Sequence, residues 1–300
     1  MGLGAYIYKA RRRLQFGFRH WIAERYILEK VEEWESNHSL ELAPVPVHFL
    51  VSRYDWRMAL WMLVSLHETS SLRWSLILHE DGSLEESQFD IFATLFPGVK
   101  VIRRTEADLL MKERLADYPR CAEYRSRMPH GLKSFDIPQM AEASRFLMID
   151  PDVMFFDRPG EILNWVGNSD DRSCWFNQDF QEPSPIPPEQ AEGELGVTLW
   201  PRINTGLCML TRNSVNRLDA MEEWLGHPAL QDPKVQWRVE QTLLALSASK
   251  AGKGGLLPST YEVSPNKHRQ SDSIARHYVG CVRDRFVGEG VFQNAKLLKR

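Results

Sequence analysis

The sequence of 300 residues predicts an α/β fold in which a mostly parallel sheet is covered by helices. Three observations carry that prediction. Strand and helix patterns alternate after Pro44 and Pro46; an apolar run at 146–149 leads straight into Asp150-Pro151-Asp152; and 43% apolar against 26% charged residues is enough to bury a sizeable core. In such a sheet ligands gather at the carboxyl ends of the strands, so chemistry is to be sought there.

The first segment in chain order is basic. Residues 1–30 carry Lys9, Arg11, Arg12, Arg13, Arg19, Arg25 and Lys30 against Glu24 and Glu29, a balance of +5 that leaves −8 on the remaining 270 residues. Leu14, Phe18, Trp21, Ile22, Leu28 and Val31 recur near helical spacing, so residues 1–43 read as a basic amphipathic helical arm. Two placements compete for it: on an anionic membrane surface, or docked on its own domain or a partner. Residues 45–52 then read as a buried strand, 57–68 as a helix and 74–79 as a strand; after Asp81-Gly82, 84–96 reads as a helix and 99–103 as a third short strand. Residues 146–149 and 153–156 are two apolar strands around the aspartates. Residues 182–194 hold Pro183, Pro185, Pro187 and Pro188 and read as a long surface loop or lid. Residues 203–210 read as a strand, 214–226 and 235–249 as helices, and 286–300 as a weakly helical tail.

A net charge of −3 argues against a dedicated nucleic-acid binder. The longest stretch without a formal charge is 11 residues, 42–52, against the roughly 20 apolar residues of a membrane span. No apolar region follows the basic N-terminus as a secretory signal requires, and Tyr6 stands where a myristoylation signal wants Ser or Thr. Cys121, Cys174, Cys208 and Cys281 form no C-x-x-C pair, which argues against a zinc site or a disulfide framework. The expectation is a cytoplasmic protein, with peripheral contact at the inner face of a membrane as the alternative use of the arm.

Two constellations could carry chemistry. With 16 Asp in the chain, a D-x-D triplet arises by chance about 0.9 times, so Asp150 and Asp152 matter through their place at the end of a buried strand. Carboxylates there are costly unless paired, and a divalent cation satisfies both, because alternation along an extended segment sends them to one side. The bland alternative is that Asp150 caps a turn and Asp152 pairs with an Arg. The second constellation is His277-Tyr278-Val279-Gly280-Cys281-Val282-Arg283, an H-x-x-G-x-x-[K/R] pattern with a chance expectation of ~0.07. Its imidazole suits manganese, its glycine lets backbone approach a phosphate, and its cation can stabilise leaving-group charge.

These segments, with Trp200-Pro201-Arg202-Ile203-Asn204-Thr205-Gly206 and Glu240-Gln241 between them, stand in the order seen in GT-A-fold glycosyltransferases. The chain most resembles family eight, the glycogenin and lipopolysaccharide galactosyltransferase group, whose patterns are D-x-D, W-P-x-x-F-N-x-G, D-Q and H-x-x-G-x-x-K-P-W. The resemblance implies a GT-A fold with a Rossmann-like sheet, residues 44–300 forming a single catalytic domain. It implies metal-dependent transfer of a sugar from a nucleotide-sugar, a UDP-sugar, to a glycan or glycolipid, with retention by front-face displacement. Asp150, Asp152 and His277 would hold manganese or magnesium. Lys133, Gly280 and Arg283 would contact the donor phosphates, and Ser52 and Arg53 the nucleoside. Asp81 reads as a nucleoside contact or, preferably, as part of a turn. Asn204, Glu240 and Gln241 would be catalytic, with a structural role as the alternative for Asn204, since Gly206 suggests tight backbone packing beside it. Gly206, Trp175 and Trp200 would face the sugar or the acceptor, while Trp56, Trp61 and Trp74 pack. Departures are Arg283 for the family lysine, Asp284-Arg285 for Pro-Trp, Glu240 for Asp, and Val197 where many members carry Asp ahead of Trp-Pro. Asp150-x-Asp152-Val also resembles the nucleophile motif of haloacid-dehalogenase-type phosphatases, and a donor-binding scaffold without catalysis is a third reading.

Overall fold

The computed structural model describes residues 17–298. Its strands are β1 (Val47–Val51), β2 (Leu76–Glu80), β3 (Lys100–Ile102), β4 (Arg145–Ile149), β5 (Val153–Phe155), β6 (Cys174–Gln178), β7 (Ile203–Thr211), β8 (Gly254–Leu256), β9 (Tyr261–Val263) and β10 (Ala275–His277). The main sheet runs β3-β2-β1-β4-β7-β6-β8, and a small one runs β5-β10-β9. From β3 to β4 every pairing is parallel; β7 is antiparallel to both of its neighbours, β4 and β6. Parallel strands are covered on both faces, which is why β1 and β4 read as continuous apolar runs rather than alternating ones.

Helices α1 (Trp56–Ser70), α2 (Glu86–Leu95), α3 (Arg104–Arg114), α4 (Pro119–Arg127), α5 (Gly131–Met140), α6 (Gly160–Gly167), α7 (Pro188–Leu195), α8 (Leu218–Trp224) and α9 (Gln236–Ala251) cover the sheets, with shorter turns between them. Two apolar cores result. One centres on α1, with Trp61 fully buried and Trp56 and Trp74 packed beside it; the other centres on α9, β7 and Trp224.

Residues 17–33 are helical throughout, with a π turn at Ala23–Ile27 and a 3-10 turn at Leu28–Glu33. They dock on their own domain: Ala23 and Val31 are buried, Trp61 Nε1 donates to Leu28 O (3.0 Å), and Arg57 Nε donates to Glu32 (2.8 Å). The outer side keeps Phe18 71% and Tyr26 54% exposed, and the Trp21 ring contacts both. The earlier part of the arm, Lys9 to Leu14 included, and the last two residues of the tail lie outside the described residues. Among the described residues no helix is long and apolar enough to cross a membrane.

Three sequence expectations change. The Pro-rich 182–194 segment is only half irregular, because Pro188 opens α7 and Gly196, in the left-handed region at φ 63°, closes it. The helix expected over 214–226 is broken at Asn216 and Arg217, whose backbones are not helical; the Asn216 amide oxygen instead accepts from Gln139. Strands β6, β8, β9 and β10 carry no clear sequence signal. They are three to five residues long, two of the three residues of β8 are glycine, and β9 and β10 bury Glu262 and Arg276 as a network with Glu289.

On β1 and β2, His48 Nδ1 and His79 Nε2 lie 2.9 Å apart in the core, and the outer nitrogen of each ring has no partner. Burial, aided by Lys100 and opposed by Glu142, lowers His48 to about 3; burial with His48 and Lys100 holds His79 well below 6.5. Both folded values lie below the unfolded one, so stability is full above pH 6.5 and falls as pH drops from there toward 3, where the unfolded chain takes protons that the folded chain refuses. Between pH 7 and 5 the loss is about 2 kcal/mol per imidazole. Urea denaturation at the two pH values measures it. A His48→Phe/His79→Leu double variant is expected to flatten the difference, and an unchanged difference would sink the assignment.

Candidate functional site

A cavity of about 660 Å³ opens at the carboxyl ends of β1, β2 and β4. The connectivity explains why the chemistry collects there. β4 ends at Ile149 and β5 begins at Val153, so Asp150 and Asp152 occupy the link between the two sheets. β10 pairs antiparallel with β5, setting His277 opposite Val153, and Tyr278 N donates to Asp152 O (2.9 Å). β7 pairs with β4, and Asp150 N donates to Gly206 O (2.7 Å). Residues distant in sequence are thereby locked by backbone register around one point.

Asp150, Asp152 and His277 each offer a ligand atom, all within 4.8 Å of one another. His277 Nε2 lies 3.1 Å from Asp152 Oδ1 and 3.9 Å from Asp150 Oδ2. Its Nδ1 lies 2.7 Å from Asn204 Oδ1, which also accepts from Gly206 N (3.0 Å). Asn204 Oδ1 is therefore an acceptor, Nδ1 carries a hydrogen, and Nε2 faces carboxylates. An imidazole with acceptors at both nitrogens must be protonated or must meet a cation at Nε2. Burial opposes the charged ring, but Asp152 and Asp150 outweigh burial and hold His277 above its ordinary value. Two carboxylate oxygens and one imidazole nitrogen suit a divalent ion of the manganese or magnesium class, so the residues present fit such a metal.

Two cations lie against these and neighbouring carboxylates. The buried Lys133 Nζ lies 2.8 Å from Asp150 Oδ1 and 3.5 Å from Glu240 Oε1 and donates to Thr205 O (3.2 Å); burial opposes its charge, and the two carboxylates raise its affinity for the proton. Arg283 spans Asp55 (3.3 Å) and Asp152 (3.5 Å). Ser52 N and Oγ donate to Asp55 Oδ1 (2.7 and 3.0 Å), tying the end of β1 to the start of α1. Burial raises the Asp55 carboxyl, with Ser52 and Arg283 opposing.

The remaining predicted residues divide. Gly280 lines the cavity, and a Cβ added to it would meet nothing within 4 Å, leaving room for a ligand to approach the backbone. Gln241 lines it too, accepting from Thr205 N (3.2 Å), while Glu240 accepts from Thr205 Oγ1 (3.2 Å); the pair clamps β7 to α9. Asp81 lines the cavity within a turn, accepting from Ser83 N, and Gly82 has φ 94°. Arg53 lies over the Tyr54 ring, outside the cavity lining. Gly206 is not on the wall either; it backs the His277 ring. Trp175 lies half-buried on β6 and donates to Ser173 Oγ (2.6 Å), away from the cavity. Trp200 flanks a small recess with Pro183 and Gln241 beside it. Trp237, 55% exposed, and Phe180, 39% exposed, are the tryptophan and phenylalanine on the wall instead.

Sequence reasoning also missed Asp55, Asp179 and Arg238. Asp179 follows β6 as Asp150 follows β4, and its Oδ2 accepts from Asn204 Nδ2 (2.9 Å). It supplies a buried wall carboxylate although Val197 replaces the acid expected ahead of Trp-Pro.

Solved structures share this architecture. The apo bifunctional glycosyltransferase WbbM matches at a TM-score of 0.53 and 11% identity, over 79% of this chain and 46% of that one. The galactosyltransferase LgtC, in complex with donor and acceptor sugar analogues, matches at a TM-score of 0.50 and 14% identity, over 85% of this chain and 97% of that one. The fold is GT-A. No family model and no curated protein sequence matches the chain. The GT-A likeness is therefore one of backbone shape, with the Asp150-Asp152-His277 cluster set at the carboxyl edge of the sheet.

Proposed function

We propose that this protein is a metal-dependent glycosyltransferase, most akin to family eight, that moves a sugar from a UDP-sugar to a glycan or glycolipid acceptor. One observation carries the reading: in a GT-A fold, an imidazole oriented by Asn204 faces two carboxylates at the end of the central strand, a site that calls for a cation. Asp150, Asp152 and His277 would hold the metal, manganese by preference. When bound, it supplies positive charge to the leaving diphosphate. Arg283 and Lys133 add charge at the same place, and Gly280 admits a phosphate. Ser52 and Asp81 border the nucleoside end of the cavity, and Gln241 the sugar. Asn204 acts through His277 and is a positioning residue.

Retention is proposed from the resemblance to family eight. Glu240 is tied to Thr205 and Lys133, and Asp179 to Asn204, so neither is placed as a free nucleophile for a double displacement, and the front-face route is the retaining one proposed. In the front-face route the acceptor oxygen bonds to the anomeric carbon as the bond to the diphosphate breaks. The departing nucleoside diphosphate takes up the acceptor proton. A phosphatase reading makes Asp150 a nucleophile, but Lys133 holds both of its oxygens within 3.0 Å, and that reading leaves His277 and Asn204 without a role. Peripheral contact with an anionic lipid surface belongs to the same proposal, supported by exposed Phe18 and Tyr26 beside Arg19 and Arg25.

A panel of nucleotide-sugars, with and without manganese, tests the reading through nucleotide release. Metal-dependent release from one donor is expected. UDP with manganese at a hundredfold excess over its Kd should stabilise the fold by about 2.7 kcal/mol. Absence of both results eliminates the transferase and leaves no donor-binding scaffold; stabilisation without release would leave the scaffold; and phosphate release from small phosphoesters would favour the phosphatase. In the same preparation, sedimentation with anionic vesicles that is unaffected by Phe18→Ser would remove the lipid contact.

A further inference from the structure

We infer that the acceptor taken by this cavity is an anionic sugar, one bearing a phosphate or carboxylate group, and that Arg238 is the residue that selects it. The inference rests on the glycosyltransferase reading above and adds the class of acceptor. Its basis is the pairing of charge on the cavity wall. Arg283 engages Asp55 and Asp152, Lys133 engages Asp150 and Glu240, Asn204 donates to Asp179, and the turn at Ser83 satisfies Asp81. Although Glu240 Oε1 has only the 3.5 Å ion pair with Lys133 and no hydrogen bond, each wall carboxylate thus faces a partner.

Arg238 does not. It lines the same cavity half-buried, with no carboxylate partner among the described residues, and its Nε is shielded from solvent with no hydrogen-bond partner. The guanidinium lies against the Trp237 ring, 4.6 Å from its centroid, which limits the positions the fork can take. A desolvated, unpaired donor is costly, and an oxyanion that approaches this guanidinium gives it a charge-assisted partner.

Two helix starts border the cavity as well. α5 begins just after His130, whose ring is also on the wall, and α9 begins just before Trp237 and Arg238. Tyr124 of α4 braces the first turn of α9, its hydroxyl donating to Gln236 O (2.9 Å) and accepting from Glu240 N (3.0 Å). Helix starts usually attract acidic side chains, yet neither first turn carries one. Two helix starts without acidic side chains and an unpaired guanidinium therefore border a cavity whose donor phosphates would be provided for by Lys133, Gly280 and Arg283. Trp237 and Phe180 add exposed ring faces for the apolar side of a pyranose.

Calorimetric titration of the full chain, preloaded with UDP and manganese so that the diphosphate site is filled, tests the inference. The probes are methyl glucuronide, glucose 6-phosphate and neutral methyl glucoside. At least one anionic sugar is expected to bind about tenfold or more tightly than the neutral one, the two anionic arms telling carboxylate from phosphate. Arg238→Gln should abolish that preference while UDP-manganese affinity stays within about twofold. Arg238→Lys, which keeps the charge but loses the planar fork, should retain part of it. Equal affinities for charged and neutral sugars, or a preference that survives in Arg238→Gln, would overturn the inference. If wild-type protein fails to bind UDP with manganese, the glycosyltransferase reading falls. The three sugars titrated into the unloaded protein and into Arg238→Gln then decide the anion site by the same criterion.

Discussion

Asp152→Asn is expected to reduce metal-dependent nucleotide release at least a thousandfold while the protein remains folded. Asp152 is 7% exposed, and burial works against its charge, but His277, Arg283 and Lys133 outweigh burial and hold the carboxyl below its ordinary value. It is therefore ionised at neutral pH and faces His277 Nε2 at 3.1 Å. The amide is nearly isosteric, so the backbone bond from Tyr278 N to Asp152 O survives, but the site loses one of its two negative ligands. A thousandfold loss corresponds to about 4 kcal/mol of transition-state stabilisation, within what a metal at a leaving group supplies. Stability should change by only about 1 kcal/mol, because removing a buried charge offsets the lost ion pairs and Arg283 keeps Asp55. Nucleotide release and manganese titration on one preparation check both halves. Activity within tenfold of wild type would remove Asp152 from the metal site.

How much of this was legible in the sequence depends on whether a residue's role is set locally or by register. β1, α1, β4 and β7 announce themselves, since each is an apolar run or face whose period survives burial on both sides. Asp150, Asp152 and His277 were found because strand ends and a spaced H-x-x-G-x-x-R pattern are local properties. Asp179 escaped because β6, CWFNQ, holds two polar residues in five and so does not read as a strand that ends in an acid. Asp55 escaped because its meaning comes from Arg283, 228 residues later. The tryptophans show the limit most plainly. Trp200 and Trp175 were chosen by sequence neighbourhood to Asn204 and the middle segment, whereas Trp237 reaches the cavity because α9 packs on α5.

Gly206→Ala is expected to be nearly as damaging as Asp152→Asn, although it removes no functional group and touches no ligand. A Cβ built on Gly206 falls 2.2 Å from His277 Nδ1 and 2.3 Å from Cε1, distances no real contact tolerates. A flexible side chain would swing away at little cost, but this ring is held on two sides, by Asn204 at Nδ1 and by Asp152 at Nε2. The backbone of β7 is equally fixed, since Gly206 O accepts from Asp150 N and Gly206 N donates to Asn204. The methyl must displace the imidazole, and doing so breaks the bond that fixes its tautomer and moves Nε2 away from the carboxylates. Disrupting such an orienting contact lowers metal affinity by about ten- to a hundredfold, and displacing the ligand itself should exceed that range. The expected signature is a loss of manganese binding of at least about a hundredfold with UDP binding in metal-free buffer unchanged, a split that general misfolding would not give. Asn204→Ala should fall between this variant and wild type, since it frees the ring without expelling it. Were Gly206→Ala to bind manganese as wild type does, His277 could not be a ligand from the position described here, and the case for a three-residue metal site would reduce to the two aspartates.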